Sequence, residues 1–113
     1  MGDLHQSTIL AESNSLQISK CSCCSRYNLN YRNLFVDFSK KEFRLFQKML
    51  ESLKPLNYTV SHPEGLKAVI GNAKSNYHMA FTATEVQHIL IKINQALILE
   101  SAFDLLSGND SQL

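Results

Sequence analysis

The chain has 113 residues, 44% of them hydrophobic and 19% charged, with a formal net charge of +1. That length suits one domain with a core of its own, and that composition excludes a disordered or low-complexity chain. No run approaches the roughly 18 apolar residues of a membrane helix, and the N-terminus MGDLHQSTILAES lacks the basic start and apolar stretch of a secretion signal.

The charge is unevenly spread. Eight basic residues against three acidic ones lie between Lys20 and Lys54, while both flanks are slightly acidic. The three cysteines all fall within residues 21–24. An odd, tight cluster does not make a disulfide framework, so a reducing, cytoplasmic compartment is expected.

Along the chain, residues 1–15 read as a loose N-terminal segment, and Leu16 and Ile18 as the start of a short strand. After the cysteines, Tyr27, Leu29 and Tyr31 alternate with polar residues. Arg32-Asn33 interrupts, and Leu34, Val36 and Phe38 alternate again, which predicts a β-hairpin. Ser39 and Glu42 form a capping box, in which each side chain satisfies a backbone N–H of the other. Phe43, Phe46, Met49, Leu50 and Leu53 then recur at helical spacing, predicting an amphipathic helix over 40–53 that Pro55 ends.

The same order returns 43 residues later. Residues 66–70 are strand-like, 71–75 turn-rich, and Tyr77, Met79 and Phe81 alternate. Thr82 and Glu85 repeat the capping box, and Val86, Ile89 and Ile93 fall on the positions of Phe43, Phe46 and Leu50. The fold class expected is α+β, a tandem ββα-ββα repeat whose two hairpins pair into one four-stranded antiparallel sheet under two helices. Residues 16–106 form the single domain in this reading, and 107–113 a disordered tail.

The second helix, over 83–106, would be about 36 Å long against about 21 Å for the first. From Ala96 onward it is apolar on nearly every side, which requires cover on every side. Either the N-terminal segment, through Leu4, Ile9, Leu10 and Leu16, folds over it, or a second copy of the chain packs on 96–106 as a homo-oligomer.

Cys21-x-x-Cys24, the alternating hairpin and Phe38-Ser39-x-x-Glu42-Phe43-x-x-Phe46 together resemble a family of small bacterial proteins without an assigned activity. In that family a CxxC pair precedes a hairpin and helix, and a second such unit follows. The resemblance covers roughly residues 19–103. It implies the fold and singles out Cys21 and Cys24, with Cys23 an addition inside the pair.

Cys21 and Cys24 have the spacing of one zinc knuckle, with Cys23 a third donor and His5, His62, His78 and His88 candidate fourths. The bland alternative is that these are partly buried thiols beside a strand, because one CxxC is half a motif. A thiol redox role is a weaker alternative, since a strand and not a helix N-terminus follows the pair. The basic 20–54 region, with Tyr27 and Tyr31, is a candidate nucleic-acid surface, but a solvated charged face and core tyrosines are the favoured explanation. Glu42 and Glu85 are explained as caps, and no Gly-rich phosphate loop or nucleophile elbow is present. The sequence therefore points to a binding or assembly module, with zinc as its one candidate cofactor, no small-molecule substrate identified and no catalytic residues.

Overall fold

The computed structural model describes residues 7–71 and 74–106. Strands β1 (Ser7–Glu12), β2 (Leu16–Cys21), β3 (Tyr27–Tyr31) and β4 (Leu34–Phe38) form an antiparallel meander in chain order. Strands β5 (Lys67–Ile70) and β6 (Met79–Thr82) form a separate two-stranded sheet. The class is α+β and a four-stranded antiparallel sheet exists, but it is not made by pairing the two hairpins. β2 takes the side of β3 away from β4, with Leu16 opposite Tyr31 and Lys20 opposite Tyr27, and β1 then pairs with β2. Four neighbouring strands from the N-terminal half thereby complete the sheet without the second hairpin.

β1 lies inside the segment expected to be loose. Its strict alternation is broken by a register shift between Ile9 and Ala11, so that Leu10 and Ala11 are both buried. A bulge of this kind hides a strand from period-two reading. Leu4, the first residue of the proposed N-terminal cover, and the tail 107–113 lie outside the described residues.

One face of the meander carries Leu16, Ile18, Tyr27, Leu29, Tyr31 and Phe38 into the core. Helix α1 (Lys40–Glu51) lays Phe43, Phe46 and Leu50 against it. The rings of Tyr27 and Phe43 stack with centroids 4.7 Å apart. Both capping boxes form: Ser39 and Glu42 start α1, and Thr82 and Glu85 start helix α2 (Ala83–Leu106).

Helix α2 packs on β1, β2, β6 and α1, burying Val86, Ile89, Ile93, Ala96 and a carboxylate, Glu100. β1 thus supplies part of the cover that the apolar end of α2 requires, with Leu10 in the same core. The cover is one-sided and ends before the last turn: Ile98 is 70% exposed although Glu100 beyond it is buried, and Leu106 is 83% exposed. Among the described residues, no helix is long and apolar enough to cross a membrane.

Candidate metal centre

The β2–β3 connection brings the three thiols together. Cys21 is the last residue of β2, and its N–H donates to the Arg26 carbonyl at 2.9 Å while Ser25 N–H donates to the Cys21 carbonyl at 3.1 Å. These two bonds fold residues 22–25 back tightly, with Ser25 at φ 56°. That left-handed backbone is uncommon for a residue with a side chain. The turn directs the Cys24 N–H at Cys21 Sγ, 3.4 Å away, and places Cys21 Sγ 3.3 Å from Cys23 Sγ.

All three sulfurs lie within 4.8 Å of one another; Cys21 is buried, while Cys23 and Cys24 face solvent. Thiolates about 2.3 Å from one tetrahedral zinc ion stand about 3.8 Å apart. The spacing, from 3.3 Å to within 4.8 Å, therefore brackets what one ion needs. A backbone N–H aimed at a sulfur favours the thiolate form, the species that ligates.

The Cys23 thiol is shifted the other way. Its hydrogen bond with Cys21, some burial and the neighbouring thiols push its pKa above the ordinary value of 9.0. No helix begins at the cluster, the feature that lowers the thiol pKa in redox CxxC pairs.

The base of the loop is pinned from below. Lys20 and Tyr27, the facing pair on which the loop stands, both donate to one oxygen of Glu100, each at 2.5 Å. Glu100 is only 6% exposed. Burial pushes its carboxyl up, but the hydrogen bonds from Lys20 and Tyr27 and the charges of Lys20 and Lys40 outweigh it and hold the group below 4.5. Burial, the hydrogen bond to Glu100 and its negative charge push the Tyr27 phenol well above 10.0, so the hydroxyl stays a donor.

The structure joins Cys21, Cys23 and Cys24 and leaves His62, His78 and His88 elsewhere. His88 shares a 2.8 Å hydrogen bond with Ser13, His62 accepts from Glu64 N–H, and His78 sits beside Gly71. His5 lies outside the described residues. Tyr27 and Tyr31, the stacking surface of the nucleic-acid reading, are core residues and cannot receive bases. Of the basic residues in 20–54, Lys20 pairs with Glu100, Arg26 with Asp37 and Glu42, and Arg32 with Glu85.

Sequence reasoning missed Glu100. Its signal was available: it is the sole charge between Ala96 and Phe103, in a stretch otherwise read as wholly apolar. A second feature, a cleft of about 370 Å³ beside the β3–β4 turn, carries Arg32, Lys67, Glu64 and Glu85. Its cations and carboxylates pair with one another.

Residues 3–110 match the family of unknown function DUF6686, and the chain belongs to that family. No curated protein matches the sequence, and no solved structure matches it.

Proposed function

We propose that this DUF6686 member is a metal-binding module in which Cys21, Cys23 and Cys24 hold one thiophilic cation, zinc by the chemistry of an all-sulfur donor set. The observation that carries the reading is the convergence of all three sulfurs within 4.8 Å in a turn that also aims a backbone N–H at one of them. Soft thiolate donors select zinc or copper(I) over magnesium, calcium or manganese. Bound zinc would cross-link the loop and fix its shape, which is the chemistry a structural ion supplies.

Protein purified without chelator carries close to one zinc per chain in this reading. Cys21→Ser and Cys24→Ser abolish it, and Cys23→Ser weakens it. Because ligands lose protons on binding, affinity rises with pH through the thiol range. Metal analysis of the four proteins decides the matter: a wild-type chain that takes up no zinc, and whose thermal midpoint ignores chelator, sinks the reading.

One observation favours self-association as a second property. After β1 is in place, Ile98, Phe103, Leu105 and Leu106 on α2 still face outward, and a two-fold dimer is the commonest way to cover such a surface. Light scattering at micromolar concentration should give a dimer mass that Phe103→Glu reduces to a monomer. A monomeric wild type removes it.

A further inference from the structure

We infer that Glu100 is a positioning residue for the thiol loop, so that metal occupancy and the docking of the end of α2 are coupled through it. The inference rests on the metal reading of the cysteines.

The geometry is direct. The loop that carries the thiols begins after Lys20 and closes at Tyr27, and these two residues face each other across β2 and β3. One oxygen of Glu100 takes a bond from each, the Lys20 ammonium lies 5.5 Å from the centre of the Tyr27 ring, and that ring stacks on Phe43. Cys21 follows Lys20 directly, so the only buried thiol of the cluster stands one residue from the pinned position. Whatever fixes Lys20 and Tyr27 fixes the two ends of the metal loop.

A structural role alone explains Glu100 poorly. Taking a carboxylate and its ammonium partner out of water costs as much as their attraction returns, and apolar residues of similar volume often do as well or better. A buried pair at this place has a clearer use in setting geometry. Partners that orient metal ligands from outside the coordination sphere typically change affinity by about 10–100-fold when removed. Because coupling is reciprocal, an ion that tightens the loop must also tighten the hold on α2 by the same factor.

The test uses the full chain and the metal alone. Removing only Glu100 would leave the Lys20 charge without this partner and change the local charge, which confounds the reading. The informative variant is therefore Lys20→Met with Glu100→Leu, which leaves net charge unchanged. Zinc titration should show affinity lowered about tenfold or more. Tyr27→Phe, which deletes one hydrogen bond and no charge, should give a smaller loss of the same sign. Hydrogen exchange gives the reciprocal readout: zinc should slow amides of residues 96–106 in the wild type by about the same factor as the affinity loss, and not in the double variant.

If the double variant does not fold, Tyr27→Phe and wild-type exchange carry the test. Zinc bound by the wild type with no change in exchange at 96–106, or unchanged affinity in the folded variants, overturns the coupling and leaves the metal site standing. A wild type that binds no zinc overturns both.

Discussion

Two stretches of this chain each place a hairpin and a capping box before a helix, and they end in different places. In the first, β3 lies between β2 and β4, and Tyr27, Leu29 and Tyr31 are buried. In the second, β5 and β6 pair with each other and Lys67 of β5 bridges to Val60; Ala68, Ile70 and Phe81 reach the core, while Val69 stays 49% exposed. Local pattern specifies a hairpin and a helix start; what the hairpin joins is decided by which strands reach it first. β1 and β2 precede the first hairpin and complete its sheet.

The caps show the same divergence at smaller scale. Glu42 bonds Ser39 N–H on the surface, with Arg26 as its nearest cation. Glu85 does the same for Thr82 and also accepts from Tyr31 and pairs with Arg32. Burial raises the Glu85 carboxyl, but the Thr82 and Tyr31 hydrogen bonds and the charges of Lys67 and Arg32 bring it below 4.5. One motif caps a helix; the other also ties that helix to the β3–β4 turn.

The largest test of this contrast compares a buried position of the four-stranded sheet with the outward-facing Val69 of the two-stranded one. Leu29→Ala should cost about 2–5 kcal/mol, whereas Val69→Ala should stay within about 0.5 kcal/mol, both read from urea midpoints. Equal losses would mean that the Val69 face of the two-stranded sheet is covered in solution.

Next comes the asymmetry of the caps. Glu85→Gln should destabilise by about 1–3 kcal/mol, because it removes the charge on which Tyr31 and Arg32 converge. Glu42→Gln should leave the midpoint where it was, since Gln serves equally at that capping position. Two silent variants would return Glu85 to the status of an ordinary cap.

Acid sharpens the same point. Glu85 and Glu100 have folded-state pKa values below 4.5, so their stabilisation is complete above that pH and is lost as pH falls through the folded values. Wild-type stability should decline below about pH 4.5 more steeply than that of Glu85→Gln. Parallel curves would remove the carboxylate from the account. Smallest in contrast are the caps themselves: Ser39→Ala and Thr82→Ala should each cost about 1 kcal/mol. A clear inequality between them would show that surroundings modify even the shared element.

The sequence made some of this plain and concealed the rest for physical reasons. The hairpin over 27–38, both capping boxes and both helices follow from period and cap chemistry, which are local. β1 stayed hidden because its bulge at Ile9–Ala11 breaks the alternation that identifies strands. The pairing of sheets depends on contacts far apart in sequence, which no period records. At the candidate site the cysteines announce themselves by spacing, but their anchor is 80 residues away from Lys20. A lone glutamate in an apolar run was its only trace.

That separation bears on the order in which the molecule assembles. Every strand pair of the four-stranded sheet joins consecutive segments, and short-range pairings of this kind close early because little loop entropy opposes them. The thiol turn belongs to this early part, held by bonds within residues 21–26. The Glu100 contact closes a loop spanning most of the chain, and it can form only once α2 has been synthesised and laid across β1 and β2. A nascent chain on the ribosome therefore brings its three sulfurs into one turn before their anchor exists, and the docking of α2 is the later step that pins the ends of that turn.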